Sequence, residues 1–202
     1  MKLVIATRNR GKMREFERLF SDLDVELLTL DDIHMTEETP ETGTTFEENA
    51  YIKAKAASDF SGLPAFADDS GLEVDYLMGE PGVYSARYGG EGLSDRERTE
   101  LLLKNMKDAP PYMRDARFVC AICLVFPDGS TRKIRRTCTG RIAESPKGLG
   151  GFGYDPVFLY GTHTFAEMND REKDRVSHRG KAAEDFKTVL ENILENGGTE
   201  WK

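Results

Sequence analysis

The sequence predicts an α/β protein whose mixed β-sheet is flanked by helices. Over the first half of the chain, short apolar runs alternate with segments of helical periodicity, as in parallel β-α-β units. Two strand-like runs then flank Pro127-Asp128-Gly129, a strong hairpin signal. Because the 202 residues contain no internal repeat or linker, we expect a single domain over residues 1–202.

The first elements follow from apolar spacing and a capping pattern. Leu3–Ala6 is wholly apolar, which is typical of a strand buried on both faces, and a helix follows with apolar repeats over Met13–Phe20. Val25–Leu30 predicts a second strand. The pair Thr44-Thr45 stands three residues before two glutamates, so the capping-box pattern predicts a helix from there to Phe60.

The middle of the chain predicts two strands separated by an acidic turn. Ala65–Ala67 is a short buried strand that delivers Asp68-Asp69-Ser70-Gly71 to its end, where these residue types favour a turn. Leu72–Leu77 alternates apolar and acidic residues and predicts a separate strand with one solvated face. Ser94, three residues before Glu97, predicts the start of a third helix.

The second half predicts three more strands and a final helix. The helix is predicted from about Arg179 to Glu195, and Gly197 is the residue that stops it. The strands are Arg114–Phe126, Arg132–Thr139 and Val157–Tyr160.

Composition and charge exclude several classes of protein. Apolar residues make up 39% and charged residues 32% of the chain, as in ordinary globular proteins. The net charge of −8 argues against a grip on duplex nucleic acid, so any bound polyanion must be small. The longest apolar run is too short to span a bilayer, and we see no signal-peptide core. The three cysteines, an odd number, argue against a secreted disulfide framework, so we expect a cytoplasmic protein. From the charge and the short apolar runs we expect neither nucleic-acid nor membrane partners.

Three motif matches fail on their context. Gly148-Leu149-Gly150-Gly151-Phe152-Gly153 has dinucleotide-binding spacing but precedes a strand instead of a helix. Gly11-Lys12 lacks the upstream glycine and the following Ser or Thr of a Walker A loop. Cys120 and Cys123 lie three apart in a strand and face opposite sides, so we interpret them as small buried apolar residues.

Three acidic or basic segments are candidates for phosphate chemistry. The basic strand-to-helix turn Thr7–Lys12 offers backbone N–H groups to a phosphate. Asp68 and Asp69 would repel each other unless a cation joined them, so they indicate either a solvated turn or a magnesium site, with Glu41 a possible further ligand. Lys53 lies on the polar line of the second helix and would point toward an anion held there.

Another set of residues is suited to a nucleobase. The loop Phe152–Asp155 combines an aromatic face with flexible backbone, which suits base stacking. Lys173, His178 and Arg179 supply hydrogen-bond donors near the start of the last helix, although its dipole disfavours cations there. Together with the phosphate candidates, these residues predict a site for a nucleoside triphosphate.

The sequence resembles the inosine triphosphate pyrophosphatase family through six segments in the same order. They are Ala6–Lys12, Thr45–Ala50, Ala67–Leu72, Pro81–Tyr88, Gly150–Pro156 and Ser177–Gly180. The resemblance implies an elongated α/β fold of two lobes with a central cleft, and a homodimer. It also implies Mg²⁺-dependent hydrolysis of the noncanonical purine triphosphates ITP, dITP and XTP to a monophosphate and pyrophosphate, which cleanses the nucleotide pool.

The resemblance also implies a role for each matching residue. Asp69 is implied as the general base, with Lys53 countering the charge of the phosphates and Ser70 contacting the substrate. The implied triphosphate cradle is Thr7, Arg8, Asn9, Arg10, Gly11 and Lys12. The implied magnesium ligands are Glu41, Asp68 and Asp69. The implied base and sugar contacts are Phe152, Gly153, Tyr154, Asp155, Lys173, His178 and Arg179.

Two other functions stay open on the sequence. One is a related pyrophosphatase that acts on pyrimidine or other modified nucleotides, which a substrate panel separates from the first. The other is a nucleotide sensor that binds a triphosphate without cleaving it, which a pyrophosphate-release assay separates.

Overall fold

The computed structural model describes residues 1–195, which form seven strands and five α-helices. The strands are β1 (Lys2–Ile5), β2 (Glu26–Leu28), β3 (Ala65–Val74), β4 (Asp115–Val125), β5 (Thr131–Ile142), β6 (Phe158–Tyr160) and β7 (His163–Thr164). The helices are α1 (Arg10–Leu19), α2 (Phe46–Ser61), α3 (Asp95–Asn105), α4 (Asp170–Val176) and α5 (His178–Glu195).

All seven strands belong to one mixed sheet in the order β2-β1-β3-β4-β5-β6-β7. β1 runs parallel to β2 and β3, with Leu3 opposite Leu27 and Ile5 opposite Phe66. β6 is antiparallel to both β5 and β7. The predicted mixed sheet with flanking helices is therefore confirmed.

The described residues form two compact units. The first contains Met1–Asp69, Cys120–Arg136 and the chain from Arg179 onward, and the second contains Ser70–Val119 and Thr137–His178. Strands β3, β4 and β5 contribute residues to both units.

The first unit buries apolar residues on both faces of its part of the sheet. One cluster joins α1, β3 and α5 through residues such as Phe16, Phe66 and Phe186, all fully buried. A second cluster joins α2 to the strands through Ala50, Ala57 and other small residues. Helices therefore cover this part of the sheet on two sides, as its wholly apolar strands require.

The second unit has its own core, to which α3 and strands β4 to β6 contribute. Leu102, Phe118, Phe158 and Phe165 are buried there. The rings of Phe118 and Phe158 lie 4.6 Å apart, centroid to centroid. This core supports the loop that precedes β6.

Strand β3 differs from its prediction. The predicted turn at Asp68–Gly71 and the separate strand Leu72–Leu77 are wrong, because residues 65–74 form one continuous strand. Asp75–Leu77 then forms a turn of 3₁₀-helix. Turn propensity is a weak preference, and here it is overridden because both aspartates have cationic partners in the folded protein.

Local signals predicted the helix ends and the hairpin well. Thr45 forms a capping box with Glu48 and Ser94 forms one with Glu97, as predicted. The hairpin turn is closed by Phe126, whose N–H donates to Ser130 O at 2.9 Å. The short helix α4 was not predicted, although its N-cap Asn169 also forms a capping box. The predicted helix stop, Gly197, lies outside the described residues.

The cysteines behave as the strand spacing predicts. Cys120 packs in the cluster of α1 and α5, whereas Cys123 packs in the cluster of α2, and both are buried. All three cysteines are free thiols.

No helix within residues 1–195 combines the length and the apolar character needed to cross a membrane.

Candidate active site

The turn between β1 and α1 is built by short polar side chains. Thr7 Oγ1 accepts the N–H of Asn9 at 3.2 Å, and the Asn9 side chain caps α1 by accepting the N–H of Lys12 at 3.0 Å. The first turn of a helix carries N–H groups without intrahelical partners and a partial positive charge. The predicted cradle Thr7–Lys12 is therefore a preformed turn that favours an anion.

Asp68 and Asp69 lie on opposite faces of β3. Side chains alternate along a strand, and the two preceding residues show which face is which. Phe66 packs in the cluster of α1 and α5, and Ala67 packs in the cluster of α2. Asp68 therefore points toward α1 and α5 and Asp69 toward α2, so the two carboxylates are directed away from each other.

Asp68 is a fully buried carboxylate held by two cations. Its Oδ2 lies 3.1 Å from Lys12 Nζ and 3.2 Å from Arg179 Nη2, and Nη1 of Arg179 lies 2.5 Å from the carboxylate of Glu15. Burial alone would raise the pKa of Asp68, but Lys12 and Arg179 outweigh it and hold this pKa below its ordinary value. Its other oxygen, Oδ1, is buried and has no hydrogen-bond partner in the described part of the chain.

Asp69 is joined to Glu41 through one ammonium group. Lys53 Nζ donates to Asp69 Oδ1 at 2.9 Å, to Glu41 Oε1 at 2.8 Å and to the carbonyl of Asp68 at 3.0 Å. Asn49, one helical turn before Lys53, donates to Asp69 Oδ2 at 3.3 Å. Asn49 and Lys53, on the polar line of α2, therefore face the acidic residues.

The pKa shifts of this pair suit proton transfer. Burial raises the pKa of Asp69 above its ordinary value, although Lys53 and Lys12 oppose the rise. Burial alone would lower the pKa of Lys53, but the charges of Asp69 and Glu41 outweigh it and raise this pKa. A carboxylate of raised pKa beside a firmly protonated lysine is a stronger proton acceptor than a solvated one.

The three predicted metal ligands are not gathered in one cluster. Within residues 1–195, no three His, Cys, Asp or Glu side chains are grouped closely enough to hold a metal ion. Glu41 and Asp69 share the ammonium of Lys53, whereas Asp68 faces the other side of the sheet.

Arg8 points to the acidic segment that precedes Glu41. Its Nη2 donates to the carbonyl of Met35 at 2.6 Å and to that of Glu37 at 3.4 Å, and its Nη1 lies 3.4 Å from Asp31 Oδ1. Its guanidinium therefore ties the β1–α1 turn to this segment.

We expect Arg8→Ala to loosen the acidic segment without unfolding the protein. The amide of Met35, bonded to the carbonyl of Leu30 at 2.9 Å, should exchange its hydrogen about tenfold faster, because losing a charged hydrogen bond costs about 1.5 kcal/mol. Hydrogen-exchange mass spectrometry measures this. Arg10→Ala, which removes a neighbouring exposed arginine, is the control, and equal exchange in both variants would contradict the role of Arg8.

In the second unit, Phe152, Asp155 and Lys173 come together. Asp155 Oδ2 accepts the N–H of Phe152 at 2.9 Å and binds Lys173 Nζ at 2.7 Å, and that ammonium lies 4.8 Å from the centre of the Phe152 ring. Gly151 has φ +71°, and a Cβ there would collide with the Asp155 carboxylate. The loop therefore requires glycine at this position.

The remaining predicted residues lie in different surroundings. Tyr154 is buried and its hydroxyl donates to the carbonyl of Ser85 at 3.0 Å. The ring of His178 stacks on Phe118 at a centroid distance of 4.6 Å. Ser70 is half-buried in β3 directly after Asp69. Arg179, predicted beside these base contacts, has its guanidinium in the first unit between Asp68 and Glu15.

Sequence reasoning did not include Glu15 in the site. Glu15 is buried and binds Arg179 through a carboxylate oxygen. It lies three residues after Lys12 in α1, on the same helix face, so spacing offered a signal. The sequence contained no signal for the pairing of Glu15 with Arg179, which lies 164 residues away.

Lys12, Lys53 and the two aspartates of β3 collect just beyond the carboxyl end of β1, where β3 continues past its parallel neighbour. Open α/β sheets bind ligands at this edge, formed by the carboxyl ends of their parallel strands. The fold and this edge define an α/β protein with a charged cluster at the position where such sheets bind ligands. The chain belongs to the Ham1 family, which it matches over residues 3–189.

Curated relatives and a solved structure match this chain over nearly its whole length. A protein of Exiguobacterium sibiricum named "dITP/XTP pyrophosphatase" is 46% identical, with 96% of this chain and 99% of that protein covered. A protein of Frankia alni with the same name is 50% identical at the same coverage. The structure of a HAM1 protein from Coxiella burnetii matches with a TM-score of 0.88 and 38% identity, over 95% of this chain and 99% of that one.

Proposed function

We propose that this protein hydrolyses noncanonical purine nucleoside triphosphates, namely dITP, XTP and ITP, to the monophosphate and pyrophosphate. The observation that carries the proposal is the cluster in which Lys53 joins Asp69 to Glu41 beside the turn that bears Lys12. It combines a proton acceptor, cations and amide donors. Relatives at 46–50% identity bear the name dITP/XTP pyrophosphatase.

The phosphates are bound by the turn and by two lysines. Arg8, Arg10 and Gly11 offer their backbone N–H groups at the positive end of α1, whereas those of Thr7 and Asn9 donate within the turn. Lys12 and Lys53 counter the charge that develops on the leaving pyrophosphate. Arg8 contributes its backbone here, because its guanidinium holds the acidic segment.

Asp69 takes the proton from the attacking water. Its pKa is raised by burial, and Asn49 and Lys53 each hold one of its oxygens and fix its orientation. The water then attacks the α phosphorus, and the β,γ-pyrophosphate leaves. General base catalysis of this kind contributes about 10²–10⁴-fold to a rate.

Glu41 and Asp69 fit a magnesium ion. Their carboxylate oxygens are the hard donors that Mg²⁺ prefers, and both already lie against one cationic group, the ammonium of Lys53. When bound, Mg²⁺ withdraws charge from the phosphate oxygens and acidifies the water. For Asp68, predicted as a third ligand, we propose a different role, because two cations hold it on the other face of β3. It fixes Lys12.

The base is recognised by the second unit's residues. The ring of Phe152 stacks on the base. Lys173 and His178 donate hydrogen bonds to it. The site is shaped by Ser70, Gly153, Tyr154 and Asp155. Hypoxanthine and xanthine carry a 6-keto oxygen that accepts such hydrogen bonds. Adenine has an amino group there, so a donor would face a donor at a cost of about 1–3 kcal/mol. Arg179 instead positions Asp68 and Lys12.

A substrate panel tests the proposed function. We expect pyrophosphate release from dITP, XTP and ITP, with dATP at least about tenfold slower, since one unpaired buried donor costs about 1.4 kcal/mol or more. We expect thymidine triphosphate, which has a pyrimidine base, to be slower than all three. Each assay is run with Mg²⁺ and with a chelator, which should abolish turnover. Fastest turnover of thymidine triphosphate would favour a pyrimidine enzyme, and binding without pyrophosphate release would favour a sensor. Either result overturns the proposal.

Two further expectations accompany this activity. The nucleotide pool lies in the cytoplasm, and three free, buried thiols suit a reducing compartment. A homodimer stays a prediction from the family resemblance, and sedimentation velocity would test it.

A further inference from the structure

Helix α3 holds the loop that carries the proposed base contacts. The carboxylate Oδ2 of Asp95 accepts the N–H of Gly153 at 2.8 Å, across 58 residues of sequence. One helical turn further on, the Thr99 hydroxyl donates to the carbonyl of Gly153 at 3.4 Å. Both peptide groups of Gly153 are therefore tied to one face of α3.

The helix does not need Asp95 for its own cap. Ser94 is the N-cap of α3 and forms a complete capping box with Glu97. The other oxygen of Asp95, Oδ1, lies 3.5 Å from Arg98 Nη1. The Oδ2 of Asp95 thus serves the loop, while the helix start is satisfied by Ser94 and Glu97.

The anchored residue is the most adaptable point of the loop. Gly153 has φ +61°, a Cβ built on it would meet no atom within 4 Å, and glycine has the widest choice of backbone conformations. On either side the loop is fixed, since Phe152 N–H binds Asp155 and the Tyr154 hydroxyl binds Ser85. Without Asp95, rotation of the Gly153 peptides would change the tilt of the Phe152 ring relative to Tyr154.

We propose that Asp95, assisted by Thr99, is a positioning residue that sets the selectivity of the enzyme for its nucleobase. It holds the Gly153 peptides, and with them the Phe152 ring, in the orientation that accepts hypoxanthine or xanthine. This inference rests on the proposed function. A site held rigidly rejects a base whose groups do not match, whereas a mobile loop adapts to it.

Kinetics of Asp95→Ala on dITP and dGTP tests the inference. We expect the ratio of kcat/KM for dITP over dGTP to fall about fivefold, chiefly through KM, as expected from losing one exposed hydrogen bond to a charged group. Asp95→Asn keeps an oxygen acceptor for the Gly153 N–H and should restore the ratio to within about twofold. Thr99→Val should lower the ratio by a smaller factor, because its bond is longer.

Glu97→Ala is the matched control. It removes the capping box of the same helix and lowers its stability without touching Gly153, so the ratio should stay unchanged. Hydrogen exchange at the Gly153 amide should quicken in Asp95→Ala and not in Glu97→Ala. An unchanged dITP/dGTP ratio in Asp95→Ala, or an equal drop in Glu97→Ala, overturns the inference. Failure of the wild-type protein to cleave dITP, by contrast, overturns the proposed function itself.

Discussion

Replacing Asp69 with asparagine is expected to lower kcat by about a thousandfold while KM for dITP changes only a few-fold. The amide cannot take a proton from water, and general base catalysis accounts for about 10²–10⁴ in rate. The substitution is nearly isosteric and keeps one oxygen for the bond from Lys53, whose ammonium still faces Glu41. Steady-state pyrophosphate release and the binding of dITP, measured by calorimetry, separate kcat from affinity.

The control for this prediction is Asp59→Asn. Asp59 is an exposed carboxylate of α2 that pairs with Lys55 on the same helix, so its loss should leave kcat unchanged. If Asp69→Asn retains a tenth or more of the wild-type kcat, Asp69 is not the general base. If it loses dITP binding as well, its main contribution is to ligand binding instead of proton transfer.

Arg179→Met is expected to lower the free energy of unfolding by about 3–5 kcal/mol. Arg179 is 2% exposed and its guanidinium pairs with both Asp68 and Glu15, so its removal takes this ion pair from Glu15 and leaves Asp68 with Lys12 as its close cation. Methionine fills similar space, so the loss reflects charge more than cavity formation. Urea unfolding gives this free energy from the midpoint and slope of the transition.

Arg136→Met provides the comparison, because Arg136 makes an ion pair of 2.6 Å with Asp185, also on α5, in a half-exposed position. Surface pairs contribute about 0–1 kcal/mol, so this variant should be nearly as stable as the wild type. Adding Glu15→Gln to Arg179→Met should recover part of the lost stability, since it removes the charge of one of the two carboxylates that Arg179 paired. Equal losses in the two arginine variants would show that burial does not set the strength of the Arg179 pairs.

Local features of the fold were predictable from sequence. Capping boxes such as Thr45 with Glu48, and the hairpin turn before Ser130, depend on residues three or four positions apart. Strand β3 was not predictable in this way. Its Asp68-Asp69-Ser70-Gly71 stretch has turn composition, and only cations 15 to 111 residues away make an extended conformation favourable.

The candidate site shows the same division. The sequence indicated that Lys53 lies on the polar line of α2, because helical periodicity fixes its face, and its bonds to Asp69 and Glu41 lie on that side. It did not indicate where long flexible side chains point. Arg8 reaches the carbonyl of Met35 and Arg179 reaches Asp68, and both contacts depend on how separate elements pack.

The opposite orientation of Asp68 and Asp69 makes the alignment of β3 with β1 decisive for the chemistry. Val4 stands opposite Ala65 and Ile5 opposite Phe66. A register shift of one residue would point every side chain of β3 to the opposite face of the sheet. Asp68 would then face Lys53 of α2, Asp69 would face Lys12 of α1, and Phe66 would leave its aromatic cluster. In the short connection before β3, Leu63 therefore tolerates substitution more readily than the connection tolerates a change in length, since an inserted residue that shifted the register would reverse every side chain of β3.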